Sequence, residues 1–171
     1  MSRVTTVLTD LGIGAIAGYV GTKAMEPVSM WLYGRESEAD RAREDAARPG
    51  PPYRLAAQNT ARLIGLNLSE TALDKAGLVF HYGLGASWAP TYALLRRNTG
   101  LGPVAAGLVS GAAMSAIVDE GLTPAIGASA PNRDYPLATH VRGVVAHLAF
   151  GLAVAAVTET AWTVLRRLHN N

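Results

Sequence analysis

Four apolar runs, each long enough to cross a bilayer, constrain this chain more than any other feature. They cover residues 11–33, 76–95, 101–123 and 143–165. A crossing helix needs about 20 mostly apolar residues. Within lipid the backbone must satisfy its own hydrogen bonds, which favours helices. The sequence therefore predicts an all-α, polytopic membrane protein: one domain over 1–171 with four transmembrane helices. A polar helical insertion, 34–75, separates helices one and two. A soluble Ala-rich bundle is the alternative, but four such runs would need an unusually dry core. The first run also outlasts the roughly 7–15 apolar residues of a signal peptide.

Composition narrows the function. Only 16% of the residues are charged, against about 25% in soluble domains. The chain has no Cys, which excludes disulfides, thiolate metal sites and thiol nucleophiles. The net charge is +2, and the basic residues form no stripe with interleaved aromatics, so no nucleic-acid partner is expected. There is no G-x-S-x-G elbow, P-loop or H-E-x-x-H, so no catalytic residue is assigned and an enzyme is not the leading expectation.

The two halves of the chain resemble each other. Residues 17–25 read AGYVGTKAM and 106–114 read AGLVSGAAM. Runs two and four share His-x-x-x-Gly, as His81/Gly85 and His147/Gly151, and each ends in Leu-Arg-Arg. This predicts two repeated αα-hairpins of the same orientation, a parallel internal repeat. Gly14/Gly18 and Gly107/Gly111 place small residues on one helix face, where backbones can approach closely. Those faces can pack inside the bundle, or form a seam for a membrane-protein partner or a second copy.

The insertion opens with GRESEADRAREDAAR, charged all round, which reads as a solvated helix with i,i+4 pairs such as Glu44–Arg48. Pro49-Gly50-Pro51-Pro52 breaks it. Residues 53–66 read as a short amphipathic helix capping the bundle, and Ser69 as an N-cap of helix two. The third loop, 121–140, has three prolines and is expected to be irregular. It lies on the side of the insertion and can form a lid with it. Arg96/Arg97 and Arg166/Arg167 sit at helix ends on the side of the termini. Cations anchor cytoplasmic flanks, so both termini are expected in the cytoplasm, although the first loop also carries seven Lys or Arg.

Polar residues interrupt the runs at matched depth. Lys23 and Glu26 are one turn apart and Pro27 follows; Glu26 stands about 10 Å from the far end of helix one at 1.5 Å per residue. His81, Asp119, Glu120 and His147 fall in the same half of the membrane. Ionisable groups there are costly and usually face the bundle interior or water, with partners. The layer suits a proton, an ion or a small solute. Bis-histidine haem ligation is a second reading, with Gly85 and Gly151 making room for the macrocycle. A divalent metal on His81, His147, Glu26 and Asp119 or Glu120 is a third. In the plainest reading Lys23 neutralises Glu26, Pro27 eases the helix towards the interface, and the histidines make ordinary interior hydrogen bonds. His140 reads as a surface residue, Glu159 as a partner of Arg97 or Arg166, and Trp31, Trp88 and Trp162 as interfacial.

The order of these features resembles the YagU-like bacterial inner-membrane proteins. The resemblance is carried by a Gly/Ala-rich first helix broken by an acidic residue, a Pro-bearing insertion, a His-led second helix, Gly-Leu-Thr-Pro at 121–124 and His147 in the fourth. It implies a multispanning protein of the bacterial inner membrane and supplies no catalytic residue. The leading functional expectation is a small integral membrane protein that binds or passes a proton, ion or solute at the Glu/His layer. An accessory or assembly subunit of a larger membrane complex is the alternative, and a haem- or metal-binding membrane protein the third.

Overall fold

The computed structural model describes residues 3–170, and every described element is helical. Helix α1, Arg3–Tyr33, runs unbroken through Pro27. The chain turns at Gly34, and Ser37 caps α2, Glu38–Ala47, by accepting from the Asp40 N–H at 3.0 Å. Pro49 to Pro51 end α2, and α3, Pro52–Leu63, begins on a proline, whose missing N–H costs nothing in a first turn. Gly65, at φ 73°, adopts the left-handed conformation that turns the chain out of α3. Ser69 caps α4, Glu70–Trp88, accepting from the Ala72 N–H at 3.3 Å.

Helix α4 passes into α5, Pro90–Asn98. Ala89 keeps helical dihedrals, φ −53° and ψ −33°, so the two form a continuous path. Pro90 divides it, because its nitrogen has no hydrogen to give to the preceding turn. The single run expected over 76–95 is therefore two helical pieces.

Helix α6, Pro103–Met114, leads into a widened π turn, Ser115–Leu122, and then into a last turn, α7, Thr123–Ala125. The Thr123 N–H donates to Val118, five residues back, immediately before Pro124. The Gly-Leu-Thr-Pro stretch is thus helical, although its proline pointed to a loop. A short 3₁₀ turn at Asn132–Asp134 precedes α8, Leu137–Asn170, which starts earlier and ends later than the run 143–165.

Among the described residues, three helical stretches are long and apolar enough to cross a membrane: Val4–Tyr33, Pro103–Ala125 and Leu137–Asn170. Much of their apolar surface points outward, as at Leu8, Ile16, Val109, Ile117, Val141 and Leu152. A large exposed apolar surface is unusual on a soluble monomer, and together with the three candidate spans it suggests a multi-pass membrane protein.

The helices pack through glycine. A Cβ on Gly18 would overlap the backbone of Gly85 and Ala86, and one on Gly14 would meet Pro90. A Cβ on Gly107 or Gly111 would meet the backbone of Gly151 or His147. Both glycine faces are thus occupied within the chain. Between them lies a core of Ala17, Tyr92, Met114, Phe150 and Val154 with their buried neighbours.

Candidate functional site

The ionisable residues of the apolar runs meet in pairs, each joining neighbouring helices. On α1, the Glu26 carboxylate faces α4. Tyr82 donates its hydroxyl to Glu26 Oε1 at 3.1 Å, and His81 Nε2 stands 3.6 Å from the same oxygen. Lys23 Nζ reaches Glu26 Oε2 at 2.9 Å and lies 5.2 Å from the centre of the Tyr82 ring. Tyr53 of α3 places its ring 5.1 Å from that of His81. Gly77 lets α3 come so close, since a Cβ there would press on Tyr53 and the Arg54 backbone. Arg54 also holds α3 to α4 through Glu70 and, at 2.8 Å, Asp74.

The second pair joins the π turn to α8. His147 Nδ1 lies 3.2 Å from Asp119 Oδ2 and 2.9 Å from the Gly143 carbonyl. The π turn changes the direction in which its side chains leave the helix; such turns recur at functional sites. Ser115 begins this turn, and its buried hydroxyl has no hydrogen-bond partner among the described residues. The next residue after Asp119 makes a further pair: His140 Nδ1 is 2.7 Å from Glu120 Oε1, and its Nε2 is 3.1 Å from the Asn132 carbonyl. His140, expected at the surface, is half-buried, because the third loop folds back over the start of α8.

The cover of this end is ionic. Arg142 is buried and donates to both Glu44 oxygens at 2.7 Å and to Glu36 Oε1 at 2.6 Å. Thr139 donates to Glu44 at 2.7 Å, and Arg48 pairs with it as well. The Arg142 guanidinium also lies 5.0 Å from the centre of the Tyr33 ring. Helix α2 is therefore not solvated all round, as its charge pattern suggested: Glu44 is fully buried against α8. Insertion and third loop meet directly, through Asn59 donating to Ile126 O at 2.8 Å and Arg43 donating to the Arg133 and Asp134 carbonyls.

At the other end of the helices, Arg97 holds Asp10 through two hydrogen bonds of 2.6 and 2.9 Å, and Trp162 donates to the same carboxylate at 2.9 Å. Glu159 accepts from Arg96 at 2.7 Å and from Tyr92 at 2.9 Å. Its partner is thus Arg96, with Arg97 drawn to Asp10 instead. Trp88 points inward and donates to Ser110 O at 3.1 Å, so it is no interfacial anchor.

The structure therefore brings Lys23, Glu26 and His81 together, and separately Asp119 with His147 and Glu120 with His140. His81 and His147 make no direct contact, although each lies within range of the other's charge. The haem reading does not fit. Gly85 and Gly151, which were to make room for a macrocycle, are filled by Thr22 and Gly18 and by the Gly107 backbone. Among the described residues no group of three or more His, Asp or Glu is placed to hold a metal ion. What the pairs can do chemically is exchange a proton, since carboxylate and imidazole are both donors or acceptors according to their protonation. Arg142, Glu36, Tyr82 and Asp10 were not singled out from the sequence, and Glu44 was read only as the partner of Arg48, which it is. An arginine in the first turns of an apolar helix was the one visible sign of the Glu44 network. Comparisons with protein-family models, curated proteins and solved structures find no match.

Proposed function

We propose that this chain is a four-crossing membrane protein, built from two like helical hairpins, that conducts protons through its acid–histidine pairs. The observation that carries this reading is that each hairpin puts an acid of its first helix against a histidine of its second. In both, that histidine stands four residues before the glycine of the close crossing: His81 before Gly85 on Gly18, and His147 before Gly151 on Gly107. These are the positions that the internal repeat makes equivalent, save that Asp119 sits about one turn further along than Glu26. Ionisable groups within apolar helices mark proton and ion paths in membrane proteins.

The fourth crossing is α4 with α5. It lies antiparallel to α1, from Glu26 against His81 to Asp10 against Arg97. That contact covers about 24 Å of α1 at 1.5 Å per residue. A helix pair alongside a spanning helix over that length crosses most of the same membrane, with Pro90 as its bend. The insertion and third loop then cover the acid–histidine end together. The opposite end, with Arg96, Arg97, Arg166 and Arg167, suits the cytoplasmic face. The resemblance to YagU-like proteins favours the bacterial inner membrane.

The test is proton flux into vesicles holding the purified protein and an internal pH dye, driven by an imposed potential. The wild type is expected to collapse the gradient well above empty vesicles. The Glu26→Gln, Asp119→Asn double variant, with unchanged helix content and elution, is expected to slow this at least about tenfold, a barrier change of roughly 1.4 kcal/mol. Flux equal in wild type and variant, or no faster than in empty vesicles, overturns the reading.

A further inference from the structure

A second polar site lies at the other end of the bundle. Between α1, α5 and α8 is a cavity of about 640 Å³, within the usual range for a small-ligand pocket. Its lining includes Asp10, Arg96, Arg97, Glu159, Trp162 and Arg166. Both carboxylates are already engaged. Asp10 holds Nε and Nη2 of Arg97, and Glu159 holds Nε of Arg96, whose Nη1 donates to Leu101 O at 3.0 Å. Each guanidinium is thereby fixed along one edge. Among the described residues, Nη1 of Arg97 makes no hydrogen bond, whereas Arg96 also interacts with the Tyr92 side chain. The Arg97 group is further held 4.6 Å from the centre of the Trp162 ring. The third arginine, Arg166, is exposed and, among the described residues, hydrogen-bonds only to Thr163 Oγ1, at 3.0 Å. Three arginines against two neutralised carboxylates leave the cavity electropositive.

Fixed guanidiniums with unused N–H groups suit phosphate oxygens, because the planar fork matches them and reorganises little. The cavity also opens where apolar helices end. Leu94 of α5, Val164 of α8 and Val7 of α1 are exposed on the elements that form it. Basic pockets between membrane helices bind anionic headgroups. We propose that this cavity binds a phosphate-bearing anion, and that its source is the headgroup of an anionic phospholipid whose acyl chains lie along those outer faces. The proposal rests on the membrane reading but not on proton conduction.

The test is native mass spectrometry of the purified, delipidated protein in detergent. It is offered equimolar phosphatidylglycerol and phosphatidylcholine, and separately inorganic phosphate. Arg166→Gln is the variant, since Arg166 is exposed and holds no carboxylate; its unfolding temperature without lipid reports whether the fold is kept. Preferential retention of phosphatidylglycerol, reduced about tenfold in Arg166→Gln, is expected, the equivalent of one charge-assisted hydrogen bond. Arg166→Lys, which keeps the charge and loses the fork, is expected to fall between. Equal retention of the two lipids, no retention, or retention unaffected by Arg166→Gln overturns the proposal. Inorganic phosphate bound at micromolar concentration and displacing the lipid would assign the site to the free ion instead.

Discussion

Two acid–histidine pairs, Glu26 with His81 and Asp119 with His147, lie near close glycine crossings but in different surroundings. Glu26 carries its own cation one turn away, and its pair is open: Lys23 and Glu26 side chains are 48% and 38% exposed. Asp119 has no such lysine. Its own side chain is as exposed as that of Glu26, at 38%, but its histidine is 7% exposed against 29% for His81. The same bundle thus holds one carboxylate that is locally neutralised and one paired with a titratable imidazole. The second is the better place to hold and release a proton.

The largest way to break this contrast is to remove the cover. Arg142→Ala leaves Glu44 and Glu36 buried without their shared cation. Loss of one partner from a buried pair costs about 3–5 kcal/mol. A loss of that size is expected in denaturant unfolding in mixed micelles, with α2 becoming protease-sensitive. An unchanged midpoint would show that the cluster does not hold α2.

The crossings should differ less. A Cβ on Gly151 would overlap the Gly107 carbonyl and press on the Gly111 nitrogen, both backbone, whereas its nearest neighbour at Gly85 is the Thr22 hydroxyl. Gly151→Ala is expected to destabilise by about 1–3 kcal/mol, the range for overpacking. Gly85→Ala should cost less, because a side chain can shift. Equal losses in the same unfolding assay would mean that the two crossings are equally tight. Gly12→Ala, with open space around it, serves as the reference.

The smallest expected effect is at the open pair. Lys23→Met removes an exposed i,i+3 ion pair, which contributes at most about 1 kcal/mol. Glu26 keeps Tyr82 and His81. A loss well beyond that value would show Lys23 to be an integral part of the first pair.

Much of this architecture was legible in the chain. Long apolar runs announce membrane helices, and matched glycines announce close crossings, because both are local consequences of length and side-chain size. Ser69 was readable as a cap for the same reason. Ionisable residues inside those runs stood out against their background. Their partners did not, because which acid meets which histidine is decided by helix packing. The Glu44–Arg142 contact joins residues 98 positions apart, and the i,i+4 charges of α2 offered a sufficient local account that hid it. Pro90 was visible within the second run, yet the apolar count passed over it. The π turn at Ser115–Leu122 has no local signature beyond the proline that follows.

The central claim is that α4 and α5 cross the membrane beside α1 and so bring His81 to the depth of His147. The chain's lack of cysteine makes one measurement decisive. Single-cysteine variants Ser69→Cys and Asn98→Cys, at the two ends of that path, are exposed to a membrane-impermeant thiol reagent in sealed vesicles of known orientation. The account predicts labelling from opposite sides. Labelling of both from the same side would contradict it, leave three crossings, and take His81 out of the membrane layer.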